Sequence, residues 1–360
     1  MRVAIDGAGG IGYSYAAFLA SRGHNPVIWS PSNGRGETLA QGEALVALGA
    51  LEGQFDVSVA TAPKALLSGA SVVILALPAY GHKRVIDRLL PHLNSGQSVI
   101  ISAHLSFSAL YLSRGLLMRG LDCPIIAWNT TASTGRQTGP SEVSISLLRR
   151  EVEMAVIPQA CMTAALDLCI ELFGARFKPV ETLLAIDLGN LNPTVHCGLA
   201  LFNLTRMEKG EAWPQQDYMT PAVCRFLEDL DRERRGIAAA LGVECRSVHQ
   251  SYAVPGKVEI GPLAEMMAEV VKIRRSVNGP TTLDTRYVTE DVPFGLTTMV
   301  RLADMTGVEV PLHKAAILLF SSLYGRDFTA ENDILPEISE AFCTLPSLAQ
   351  ATENGWPKRC

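Results

Sequence analysis

Along the first half of the chain, short apolar runs alternate with longer stretches whose apolar residues recur at helical spacing. The runs at 2–5, 26–29, 55–59, 71–77, 97–102 and 124–127 read as strands, with helix-length segments between most of them. Strands alternating with helices imply a parallel, doubly wound sheet. After 124–127 comes a polar segment rich in Thr, Ser and Gly, 129–140, and then a strand pair around 143–157. From about Met162 the spacing turns mostly helical, as in 164–173 and 222–230, and strand-like runs become scarce. The pattern predicts an α/β domain over residues 1–180 and a mainly α-helical second domain over 181–360.

Composition agrees with two ordinary cores. The 360 residues are 48% hydrophobic and 19% charged, which excludes a disordered chain. The net charge of −5 comes without a long block of like charges, so no nucleic-acid partner is expected. The cluster Arg232-Glu-Arg-Arg235 interleaves with acids and reads as a solvated helix face. No apolar stretch reaches the roughly 18 residues of a membrane span, and the first residues enter a strand directly, so a soluble, cytoplasmic protein with no membrane partner is expected. Eight cysteines without any C-x-x-C spacing fit reduced, structural thiols, and no metal site is expected.

The first strand runs into Gly7-Ala-Gly9-Gly10-Ile-Gly12, followed at once by a helical segment, 11–21. In that context the G-x-G-x-x-G spacing has a physical meaning: a glycine for the turn, one for close approach of a pyrophosphate, one for helix–strand packing. The pyrophosphate would sit on the free N–H groups and positive dipole end of the helix. A Rossmann dinucleotide-binding domain is therefore predicted, with Gly7, Gly9, Gly10 and Gly12 against the cofactor. Asp6 is an odd neighbour, since an acid just before the loop repels phosphate unless it points away. The cofactor's identity is read at the end of the second strand, where NAD binders usually carry an acid. Here the chain has Trp29-Ser30-Pro31-Ser32-Asn33-Gly34-Arg35. Hydroxyls at Ser30 and Ser32 replace the acid and Arg35 follows, which favours NADP(H) with NAD(H) as the alternative. A surface turn with Arg35 in solvent is the other reading.

Two later segments carry further candidates: Asn190-Leu-Asn192-Pro-Thr-Val-His196, beside an apolar helical run, and Arg286-Tyr-Val-Thr-Glu290-Asp291, with a trailing Gly295. Together with the glycine loop and Leu77-Pro78-Ala-Tyr-Gly-His82 after the fourth strand, they make the chain resemble the opine dehydrogenases, the family of octopine and nopaline dehydrogenases, from the first strand to about Phe328. That resemblance implies reductive condensation: an amino acid's amino group and a 2-oxo acid's carbonyl form an imine that NAD(P)H reduces. It also implies that His196 and Asp291 act as a dyad, that Pro78 lies on the cofactor side, and that Thr131, with Thr130, falls where oxo-acid contacts occur. The partners implied are a small-molecule amino acid and a 2-oxo acid such as pyruvate or 2-oxoglutarate. A homodimer is compatible with the sequence, which leaves oligomeric state open.

The residue types suit that chemistry. A histidine, with an ordinary value of about 6.5, exchanges protons near neutrality, and a carboxylate behind it fixes its tautomer. Arg286 offers a planar fork for a substrate carboxylate, or else an i,i+4 surface pair with Glu290. Asn190 and Asn192 can begin the helix that carries His196, with Pro193 in its first turn, and substrate contact is an equal alternative for Asn192. Two departures from the family's pattern stand out: Cys197 where several relatives have proline, and a glycine-poor loop at 102–106. The rival readings are a ketopantoate reductase or 3-hydroxyacid dehydrogenase, which usually places a lysine on the helix that opens the second domain, where this chain offers His196 and no lysine nearby, and a non-catalytic dinucleotide sensor, which has no need of a proton shuttle.

Overall fold

The computed structural model describes residues 1–31, 36–253, 258–273 and 276–357. By contacts the chain divides into two units, 1–186 together with 346–360, and 187–345. The expected division at 180 thus falls at 186, and residues 346–360 belong with the first unit instead of the second. Their attachment is local: the Trp356 amide donates to Ser113 Oγ at 2.8 Å, and the Arg114 guanidinium lies over the Trp356 ring.

The first unit is built on strands β1 (Arg2–Asp6), β2 (Asn25–Trp29), β3 (Leu45–Gly49), β4 (Gly53–Phe55), β5 (Ser58–Val59), β6 (Val72–Leu75), β7 (Ser98–Ile101), β8 (Ile125–Trp128), β9 (Ser133–Gly139), β10 (Glu142–Leu148), β11 (Val152–Ile157) and β12 (Phe177–Pro179). Eight of them form one sheet in the order β12-β11-β8-β7-β6-β1-β2-β5. The pairs from β5 to β8 are parallel, and β11 joins antiparallel to β8. Their fully buried Val, Ile and Leu residues are what a sheet covered on both faces requires. The chain leaves β1 for β2, then returns to place β6 on the other side of β1. The β1/β6 boundary is therefore the switch point, where the crevice at the carboxyl ends of the strands takes ligands.

The remaining strands depart from the predicted pattern. The run at 55–59 divides between β4 and β5, which lie in different sheets. The strand pair expected around 143–157 is not a pair: β10 bonds to β3 and β9 in a separate four-stranded sheet, while β11 lies in the large sheet. The polar segment at 129–140 contains β9. That strand crosses the first helix, Gly10–Ser21, so closely that a Cβ on Gly10 would lie 2.3 Å from the carbonyl oxygen of Gly135. Ser14 and Ser133 share a hydrogen bond in the same contact.

The second unit is helical among its described residues. Its long helix, Pro221–Ala240, packs on Asn192–Phe202 and Leu263–Ile273 around a core that includes Trp213, Leu227, Met267, Val292 and Phe320. Arg232 and Arg235 on that helix are exposed, as expected of a solvated face, but Arg234 is not. It is fully buried, paired with Asp231 at 2.6 Å, and donates to the carbonyls of Leu188 and Arg246. Asp231 also accepts from the Val248 amide at 3.0 Å, so this ion pair ties three segments of the core and is hydrogen-bonded on both sides.

Candidate active site

The glycine loop has the backbone its sequence demands. Gly7 sits at φ +125°, and a Cβ there would lie 2.4 Å from the Ala76 carbonyl oxygen at the end of β6. A Cβ on Gly12 would lie 1.7 Å from the Gly7 carbonyl oxygen. Turn and helix therefore close on each other only with hydrogen at both positions. Gly9 caps Gly10–Ser21 in extended conformation, and no acid stands in the helix's first turn. This cradle fits a dinucleotide pyrophosphate. Pro78, after β6, leads into the short turn Ala79–Gly81 and lies on the other side of the switch point. Ser30 follows β2, as expected. Ser32 and Arg35 lie outside the described residues.

Asp6 is fully buried, and no hydrogen bond reaches either carboxyl oxygen. Burial pushes its pKa up to about 8 from the ordinary 3.8, against the opposing pull of Arg88. At neutral pH the group is mostly an uncharged acid, which removes the repulsion that its position beside the loop suggested.

In the second unit, Asn190 Oδ1 accepts from the Asn192 amide at 3.0 Å, a local turn that starts the helix Asn192–Phe202 with Pro193 in its first turn. Asn192 and His196 stand four residues apart on one helical face, both partly exposed. His196 Nδ1 lies 2.8 Å from Asp291 Oδ2, with the imidazole 21% exposed and the carboxylate only 5%. Asp291 opens a turn of π-helix, Asp291–Leu296, which holds Pro293. Such turns occur often at functional sites. Gly295 makes the approach possible, because a Cβ there would lie 2.3 Å from Pro193 Cγ on the histidine's own helix. The sequence thus brings together His196 and Asp291, 95 residues apart, through two helical segments that touch at a glycine and a proline.

Arg286 lies one turn before Asp291. Its side chain is 57% exposed, and its Nη1 is 3.6 Å from Glu290 Oε2, so the i,i+4 pair exists on an exposed side chain. Thr131 lies in the first unit, in the loop after β8, where the neighbouring Ala132 amide donates to Tyr15 Oη. A contact that sequence reasoning missed is the Tyr287 ring, which stacks on His196 with centroids 3.7 Å apart and 7° between planes. Tyr287 falls inside the Arg286–Asp291 motif, but nothing in its spacing signals a partner so far away in the chain.

A doubly wound sheet with a glycine cradle at its switch point, joined in one chain to a helical unit holding a histidine–carboxylate pair, defines a class of two-domain NAD(P)-dependent oxidoreductases. Residues 179–324 match the model of the NAD/NADP octopine/nopaline dehydrogenase alpha-helical domain, and residues 3–104 match that of ketopantoate reductase PanE/ApbA. The chain is 28% identical to an opine dehydrogenase from Arthrobacter sp. over 97% of its own length and 98% of that protein's. It is 26% identical to vitopine synthase from Allorhizobium ampelinum, covering 92% of this chain and 95% of the relative. Among solved structures, octopine dehydrogenase with NADH and L-arginine has the same fold at TM-score 0.82 and 16% identity, over 99% of this chain and 100% of the other. Yersinopine dehydrogenase with NADP+ bound gives 0.69 at 18% identity, over 95% and 99%. Along almost its whole length the chain is similar to the opine dehydrogenases, and residues 179–324 match the alpha-helical domain of that family.

Proposed function

We infer that this protein catalyses the reductive condensation of an amino acid with a 2-oxo acid. Atoms balance simply: the amine and the carbonyl lose water to form an imine, and a hydride plus a proton convert it to a secondary amine. The observation that carries the reading is the His196–Asp291 pair at 2.8 Å, set in a helical unit of this family. Bound at the glycine loop by Gly7, Gly9, Gly10 and Gly12, with Ser30 and Pro78 nearby, NAD(P)H supplies the hydride.

The protein's own groups handle binding and protons. Asp291 accepts from His196 Nδ1–H, which fixes the tautomer and leaves Nε2 to exchange a proton with the substrate. Arg286, whose side chain is exposed, clamps a substrate carboxylate bidentately. Asn192, one turn before His196, is placed to hold a polar substrate group beside the imidazole. Thr131, by the family resemblance, contributes an oxo-acid contact. Ser32 and Arg35, with Ser30, favour NADP(H) over NAD(H). A homodimer in a cytoplasmic setting completes the reading. No helix among the described residues is long and apolar enough to cross a membrane.

The test is oxidation of NADPH and NADH with pyruvate or 2-oxoglutarate, each with and without pooled amino acids. Oxidation should require both acids together and fall by roughly 100-fold or more in His196→Ala. Oxidation with the oxo acid alone would make the protein a simple hydroxyacid dehydrogenase.

A further inference from the structure

One hydrogen bond does not orient an imidazole. The Nδ1–Asp291 contact restrains one edge of the His196 ring, but a single hydrogen bond tolerates small rotations about Cα–Cβ and Cβ–Cγ, a pivot that would swing Nε2. The parallel face of Tyr287, 3.7 Å away and 7° from coplanar, removes that pivot. We propose that Tyr287, braced through its hydroxyl by Gln215, is the positioning residue that fixes the plane of the His196 imidazole and hence the direction in which Nε2 faces the substrate. The proposal rests on the reaction assigned above.

The brace is visible residue by residue. Gln215 is buried, and its Nε2 donates both to Tyr287 Oη and to the Asn278 carbonyl, at 3.3 Å for the latter. Its backbone is held in turn. The Gln215 amide donates to the Val277 carbonyl at 2.8 Å, the Gly279 amide to Trp213 at 2.7 Å, and Trp213 Nε1 to the Pro280 carbonyl at 2.8 Å. Two chain segments, 213–216 and 276–280, are thereby joined into a strut whose end is the phenol. At its other end Tyr287 is fixed by the Thr285 cap, whose Oγ1 accepts the Tyr287 amide, and its carbonyl accepts from Cys197 Sγ–H beside His196. Tyr287 and Asp291 lie four residues apart in one helical segment, so a single stretch of chain supplies both the edge contact and the face contact. Burial pushes the phenol up to about 12. It stays neutral at working pH and acts by position, not as an acid or base.

Three variants test this: Tyr287→Leu, which removes the ring; Tyr287→Phe, which keeps the ring and loses the brace; and Gln215→Leu, which keeps Tyr287 and loses the brace. Expected is a fall in kcat of about 30–100-fold for Tyr287→Leu and about 3–10-fold for the other two, with KM for the oxo acid within about 3-fold throughout, as misorientation of a catalytic group predicts. The independent readout is the NMR shift of the His196 ring protons, which a stacked phenol displaces upfield. They should move downfield in Tyr287→Leu and stay near the wild-type position in Tyr287→Phe. Should Tyr287→Leu fail to fold, Gln215→Leu decides: an unchanged kcat would overturn the brace. Equal losses in the Phe and Leu variants, or ring protons that do not move in Tyr287→Leu, would overturn the positioning role. If the wild type turns over the oxo acid without an amino acid, the assigned reaction fails while the NMR comparison still judges the stack.

Discussion

The orphaned acid beside the glycine loop makes a quantitative prediction. In the unfolded chain Asp6 ionises near the ordinary 3.8, whereas in the fold burial raises it to about 8. Between those values the native state holds a proton that the unfolded state has lost, so stability falls as pH rises from about 4 to about 8 and is level above. The gap, at about 1.4 kcal/mol per tenfold, bounds the cost at about 6 kcal/mol. Relaxation around the buried charge trims this to roughly 3–6 kcal/mol, a large part of the 5–15 kcal/mol that holds a typical domain. Asp6→Asn removes the titration. Thermal unfolding of wild type and Asp6→Asn, followed by circular dichroism from pH 5 to pH 9, should show a difference small at pH 5 and growing to roughly 6–20 °C in favour of the variant at pH 9. A difference that is constant with pH would refute the reasoning, because it would mean that Asp6 is either paired or ionised in the fold.

Three further substitutions, all in the second unit, carry expected outcomes. Gly295→Ala forces a Cβ to 2.3 Å from Pro193 Cγ, so it should cost about 1–3 kcal/mol by overpacking and lower kcat about 10-fold or more by separating His196 from Asp291. Urea unfolding and steady-state kinetics on the same preparation check both halves. Arg234→Met leaves Asp231 buried without its cation, and urea unfolding should show a loss of about 3–5 kcal/mol. Arg232→Met, on the exposed part of the same helix, should cost less than about 0.5 kcal/mol.

The parallel sheet was legible because its strands are continuous apolar runs, 71–77 and 97–102 above all, and because the glycine loop falls between a strand and a helix, where its physics applies. The second sheet was not. β9, Ser133–Gly139, contains no apolar residue, so no alternation marks it, and it exists because β10 pairs with it and Gly135 lets it cross the first helix. β10 and β11 are adjacent in sequence with apolar patterns that suit a hairpin, and only tertiary packing sends them to different sheets. In the site, the pairing of His196 with Asp291 came from the family resemblance and not from spacing, and the two side chains lie 2.8 Å apart. Arg234 misled because a charged residue within a charged cluster reads as solvated, while its burial depends on Asp231 and on two distant carbonyls. The Tyr287 stack was hidden for a similar reason: periodicity places residues on faces of their own helix and is silent about a ring 91 positions away.

In the proposed reaction the hydride ends on a carbon bonded to nitrogen. Incubation with an oxo acid, pooled amino acids and NADPH carrying deuterium at the transferable position, followed by mass spectrometry of the products, tests it directly. The expected product is a secondary-amine dicarboxylate whose mass is the sum of the two acids less one oxygen atom, with one deuterium in place of hydrogen, absent from the His196→Ala reaction. Deuterium found instead in a 2-hydroxy acid, with no amine product at any amino acid concentration, would contradict it.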